Sequence, residues 1–339
     1  MTIDSANIIF DSTTDVNFRA WGQRISQALI TCGLVKTTDT GQIDWTTVTR
    51  GAGNVGENIS GYEIFRFSDA LQATHPVFIK IEYGNANAAN SGPLYGPPVI
   101  YVTVGTATNG AGTLTGSRVS TRTRLLGMQS TAGNSNNGVS SGTTQQSPCY
   151  FSGDGTYINM ALGVQQTAHA VFTTGGSTPP ISTPGFFGVE RTRNSLGEPT
   201  NRGVHMVTSK WASVSNTHAN APSPTSQLIS YVGAFTVSPQ DGFWPVTWPG
   251  QGYGTAAQGA DIYFHPMMIA SPVPDGQCLS WLGSWKNDVP FLSPQVVTVS
   301  GQPHTYLSLA GIAGQTAADN ARSYVNTGTP NGALLMRYE

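Results

Sequence analysis

Two stretches of the sequence spell chemistry when read letter by letter. Gly51-Ala52-Gly53-Asn54-Val55-Gly56 matches GxGxxG. That pattern holds pyrophosphate only where a strand runs in and a helix N-terminus follows. Here Glu57-Asn58-Ile59-Ser60-Gly61 follows, which starts no helix, so the stretch reads as a flexible link. Gly138-Val139-Ser140-Ser141-Gly142 matches the GxSxG nucleophile elbow. No buried strand leads into it, and a Ser/Asn/Gly-rich loop produces such a match by composition.

The titratable residues form no recognisable constellation. Histidines 75, 169, 205, 218, 265 and 304 show no HExxH or paired spacing, and Cys32, Cys149 and Cys278 are far apart with no CxxC. Reduced thiols, and no metal or cofactor, are therefore expected. A polysaccharide hydrolase would need two carboxylates brought together by the fold. Asp154, Asp241, Asp261 and Asp275 supply candidates, but contexts such as SGDGT and QDGFW form turns more simply. No catalytic residue is assigned. Trp244, Trp248 and Tyr253 lie in an aromatic–proline loop, with Trp281 and Trp285 as a weaker second pair. Exposed, those rings would stack on a sugar or meet a partner; buried, they would plug a loop.

The elements that would position such groups are mostly strands. The exception is Asp15 to Cys32, where Phe18, Trp21, Ile25, Leu29 and Cys32 recur at spacings of three and four. That spacing places them on one helix face. Thr14 or Asp15 can cap the start, and Gly33 can end the helix in the left-handed conformation. The stripe predicts packing against the strands near Tyr62 to Val104, with Trp21 as anchor. Each buried side chain should contribute roughly 1.5–3 kcal/mol.

After Gly33 the pattern changes to period two. GYEIFRF and PVFIKIEYG read as strands, with Val77, Ile79, Ile81 and Tyr83 on one face of the second and Lys80 and Glu82 on the other. PPVIYVTVG is apolar enough to be buried on both sides. Arg118, Arg122 and Arg124 alternate with Val119, Thr121 and Thr123, as in one charged edge strand. TYINMALG, AHAVFTT, QLISYVGAFTV, ADIYFHPMMIA, PQVVTVSG, HTYLSLAG and ALLMRYE continue the strands. PGFFGVERT and GVHMVTS form a hairpin around Asn194–Pro199.

The expected fold is mainly β: an antiparallel, sandwich-like architecture with one N-terminal amphipathic helix and long loops. Gly127 to Pro148 carries almost no apolar side chain and is the best boundary. It divides the chain into 1–126, a 127–148 linker and 149–339, unless all form one domain. Only 10% of the 339 residues are charged, against about 25% in an ordinary soluble domain, so the surface is neutral and turn-rich. The net charge of −2, with no Lys/Arg run, argues against direct nucleic-acid binding. No apolar stretch is long enough to span a bilayer, and MTIDSANIIF lacks the parts of a secretory signal.

The opening FRAWGQRISQALITCGLVKTTDTGQIDWTTVTR, then GYEIFRF and PVFIKIEYG, resembles the start of structural proteins from tailed bacteriophages. FFGVERTRNSLGEPTNRG and ALLMRYE are similar to the same group. The resemblance covers roughly the first third, one hairpin and the end. It implies a non-enzymatic virion subunit of the neck, tail or fibre, made in the host cytoplasm, with other virion proteins as partners and a homo-oligomeric state. It carries over no catalytic residue. A receptor- or glycan-binding module using Trp244, Trp248 and Tyr253 is the alternative, with a host-surface glycan as partner; a capsid decoration protein or a hydrolase fits less well.

Overall fold

The computed structural model describes residues 1–51, 56–87, 95–126, 145–163, 185–194, 198–210, 223–231, 240–241, 267–270, 277–280, 283–287, 294–298, 304–309 and 332–339. β1 (Thr2–Phe10) leads into α1 (Asp15–Thr31) and the short β2 (Val35–Lys36). Then come β3 (Gly56–Arg66), β4 (Phe78–Asn87), β5 (Tyr95–Thr108), β6 (Leu114–Val119) and β7 (Thr123–Leu126). A second run holds β8 (Gln145–Gly153), β9 (Tyr157–Leu162), β10 (Gly185–Arg193), β11 (Pro199–Lys210), β12 (Ser223–Ser230) and β13 (Gln240–Asp241). The last strands are β14 (Met267–Ala270), β15 (Gln277–Ser280), β16 (Gly283–Asn287), β17 (Gln295–Thr298), β18 (Thr305–Ser308) and β19 (Gly332–Arg337).

The chain is mainly β, with antiparallel sheets and, among the described residues, a single α-helix. A front sheet runs β2-β3-β4-β5-β6, with β7 also on β5. A central sheet runs β1-β8-β9-β10-β11-β12-β13, with β15 on β10 and β14 on β15. A third sheet runs β16-β19-β18-β17.

Side-chain alternation shows how these sheets are layered. Along β9, Ile158, Met160 and Leu162 join the main core with front-sheet residues such as Ile79, Ile81 and Val102. Tyr157 and Ala161 instead join a second core with Leu307, Leu309 and Met336 from the third sheet's side. The same split divides Val204 and Met206 from Val207 on β11. Period two sends neighbours to opposite faces, so the central sheet is covered on both. That is why β9 and β10 are buried at every position.

The helix matches its sequence pattern. Phe18, Trp21, Ile25, Leu29 and Cys32 are all buried. Thr14 Oγ1 accepts from the Asn17 N–H at 3.1 Å, and Gly33 follows the helix at φ +95°. Trp21 lies 6.3 Å from the Tyr83 ring of β4 and 5.6 Å from Phe10 of β1. The helix thus packs against the front sheet, as its stripe predicts, and also against β1.

Several strands depart from the pattern. Gly56–Gly61 is the start of β3, not a flexible link; residues 52–55 lie outside the described set. The arginine-rich stretch is two strands, β6 and β7, both on β5, because Ser120 breaks the run by donating to Thr121 O and accepting from Val104 N. β1 is a strand outside the period-two pattern read after Gly33. It pairs over nine residues with β8, so residues before 126 enter the sheet built from residues after 145. The main core likewise extends from Ile8 to Met206 without a break.

Candidate functional site

Among the described residues, a dense set of buried ionisable groups lies between the central and third sheets. On β10, Glu190 is fully buried and its Oε2 accepts from Arg193 Nε at 3.0 Å. The register sets Glu190 opposite His205 on β11 and Tyr157 on β9. Burial pushes His205 down to about 4, against the pull of Glu190, so the imidazole is neutral at pH 7. Burial likewise raises Tyr157 to about 12.

The end of the chain closes this seam. Ser152 Oγ and Asn159 Nδ2 both donate to Arg337 O, at 2.6 and 3.1 Å. Tyr157 OH donates to Glu339 O at 3.1 Å, and the Arg337 guanidinium sits 4.1 Å from the Tyr157 ring centre. Glu339 gathers Arg337 Nε at 2.9 Å, Thr305 N at 3.2 Å and His304 Nδ1 at 2.5 Å. Burial alone would raise the Glu339 carboxyl; Arg337, Thr305 N–H and His304 outweigh it and hold it below the ordinary range. Burial and then Arg337 hold His304 below the ordinary imidazole range, so at pH 7 its contact with Glu339 is a hydrogen bond from a neutral ring. These groups fasten a strand. Glu190 is matched by Arg193, and the neutral His205 imidazole is shut inside.

Two further clusters do the same at other joints. Glu63, fully buried on β3, accepts from Ser26 Oγ at 2.9 Å, Lys36 Nζ at 2.7 Å, Trp45 Nε1 at 3.2 Å and Tyr83 OH at 3.0 Å. One carboxylate thereby ties α1, β2, the loop after it and β4. Burial, then Glu63, keeps Tyr83 protonated well above the usual phenol range. Arg191 on β10 reaches the other way, to Asp69, to Gln72 Oε1 at 3.5 Å and to His75 O at 2.8 Å. Tyr231 closes the same corner by donating to Pro76 O at 2.5 Å.

The outer face of the front sheet carries a wetter row. Tyr62, Glu82, Tyr101 and Arg124 are cross-strand neighbours on β3, β4, β5 and β7. Arg122 stacks 3.5 Å from the Tyr101 ring centre and pairs with Glu82 at 2.6 Å. Arg124 pairs with Glu57 at 2.9 Å. Tyr101 therefore sits under the side chains of Arg122 and Arg124.

The residues singled out from sequence are scattered by the fold. Phe18, Trp21, Ile25 and Leu29 are core. Asp154 is an exposed turn carboxylate accepting from Thr156 N and Oγ1 at 2.9 and 2.6 Å. Asp241 is in β13, well apart in the sheet order from Asp154 between β8 and β9. Gly51 is bound by Asn85, whose Oδ1 accepts the Gly51 N–H at 2.8 Å. Cys32 and Cys149 are buried free thiols, each pushed up to about 12 by burial. Trp244, Trp248, Tyr253, Trp281, Asp261, Asp275 and the GxSxG stretch lie outside the described residues, as does the side chain of Trp285. The seam residues were missed because Glu190, Arg193 and His205 look like surface residues of a hairpin. The readable signal was the flanking FFGV, which is too apolar for a one-sided strand.

Among the described residues no group of three or more His, Cys, Asp or Glu is arranged to hold a metal ion. Nor is any helix there long and apolar enough to cross a membrane. No family model matches the chain, and no curated protein matches it.

Proposed function

We propose that this chain is a non-enzymatic structural subunit of a bacteriophage virion, in the tail or neck, working through symmetric self-assembly. The reading starts from the sequence phrases at the N-terminus, the β10–β11 hairpin and the last strand. The structural observation that supports it is β1. This nine-residue strand ends the central sheet, and among the described residues its outer edge has no strand neighbour. Its outward-facing Ile3 and Ile9 are 49% and 52% exposed. Sheet edges of this kind, lacking lysine, proline or a bulge, favour contact with another chain. The buried carboxylate of Glu63 adds support, since it fastens α1, β2 and β4 together.

The test has two arms. Purified protein at high concentration should form a defined oligomer, and Ile3→Lys with Ile9→Lys should weaken it while leaving the melting temperature nearly unchanged. Antibodies to the chain should label intact particles. A monomer at every concentration, together with unlabelled particles, would remove the proposal.

A further inference from the structure

We propose that the seam between the central and third sheets is an acid-released latch, which frees β18 and β19 from the central sheet while the front sheet stays folded. The geometry concentrates proton-sensitive groups at this one joint. His205 shares β11 with Val204 and Met206, which face the main core, so its ring lies on the face the third sheet covers. It is 1% exposed and stands opposite Glu190. From the third sheet, buried Tyr306 adds a phenol that feels the charge of Glu190. Glu339 and His304 hold each other, with Arg337 on Glu339 and the charge of Arg193 facing His304. Asp154 Oδ2 is 4.0 Å from Arg337.

All three titrations push in one direction. His205 and His304 have folded values below the ordinary 6.5, so an open state binds protons that the closed seam refuses as pH falls below 6.5. Glu339 is held below its ordinary 4.5, so its contribution is present above that value and is lost as pH falls further. From His205 alone, between pH 7 and pH 5, the equilibrium for opening should shift by about 20-fold toward the open form. Glu63, the buried carboxylate of the front sheet, has its partners on α1, β2, the loop after β2 and β4 instead. The latch would operate whether or not the chain is a virion subunit.

Hydrogen exchange on the whole chain tests this, with rates corrected for the intrinsic effect of pH. Protection at Thr305–Ser308 and Gly332–Arg337 should fall about 20-fold from pH 7 to pH 5, while Phe78–Asn87 keeps its protection. His205→Gln should remove most of that pH dependence. Unchanged protection at pH 5, an equal fall in both regions, or full pH dependence in His205→Gln would each overturn the latch. Should His205→Gln not fold, the wild-type imidazole resonances serve instead. Midpoints that track the exchange of β18 and β19 support the latch, and a His205 titrating near 6.5 with no change in exchange overturns it.

Discussion

Arg193 Nε donates to Glu190 Oε2 at 3.0 Å although the two stand three residues apart on one strand. On a regular strand such residues point to opposite faces. The β10–β11 register slips between Arg191 and Arg193, and that bulge turns Arg193 back to the side of Glu190. Arg191 keeps its place facing Asp69. One irregularity therefore serves both faces of the central sheet.

Removing Arg193 tests that relationship. Glu190 would keep its burial and lose its guanidinium, so Arg193→Met should cost about 3–5 kcal/mol. Adding Glu190→Gln should recover much of the loss. Urea midpoints of the two single variants and the double variant give the coupling; strict additivity would mean the pair is not the unit described here.

Trp21 is 1% exposed, and its Nε1 has no hydrogen-bond partner. Trp21→Ala should cost about 3–5 kcal/mol by opening a cavity between Phe10, Phe18 and Tyr83. Trp21→Phe should cost less than half of that, because it also removes a buried donor that is unsatisfied. Thermal melts of both variants decide the matter, and equal losses would show that the polar atom is satisfied after all.

A methyl group at Gly84 would meet backbone, with Asn58 O only 2.0 Å from the added carbon. No rotamer change relieves that contact, so Gly84→Ala should push β3 from β4 and cost at least about 1–3 kcal/mol. Gly22→Ala instead meets the Trp45 ring at 2.1 Å, a side-chain contact that yields only at the cost of the Trp45 bond to Glu63. The Gly84 variant should therefore show the lower denaturation midpoint, and the reverse order would contradict the close approach of the two strands.

Thiol reactivity reads out the interior. In a Cys278→Ser background at pH 8, Cys32 and Cys149 should stay unmodified by an aromatic disulfide reagent, since both are buried and held near 12. Two equivalents should react in denaturant. Rapid labelling of the native protein would mean that α1 or β8 opens easily.

Local periodicity made much of this fold readable. The stripe from Phe18 to Cys32 and the alternation through Val77, Ile79, Ile81 and Tyr83 come from period 3.6 and period two acting on neighbours in sequence. The hairpin of β10 and β11 was equally plain. β1 was not, because Asp4, Ser5 and Asn7 are poor strand formers and its partner is far along the chain. The seam stayed hidden for a related reason. Its charges are buried only because the third sheet returns over them, and the bulge that aims Arg193 leaves no mark in the letters ERTR.

The pairing of β1 with β8 also sets an order of events during synthesis. Thr2–Phe10 leaves the ribosome well before its partner, which follows about 135 residues later. At about 5–20 residues per second, Ile8 and Phe10 then wait roughly 7–27 s for the strand that completes their sheet. Meanwhile the front sheet, whose strands pair with near neighbours, can close first. Nascent chains stalled before Gln145 should therefore hold a protected front sheet and a protease-sensitive N-terminus. A protected N-terminus in such chains would mean that α1 and the front sheet alone suffice to seat β1.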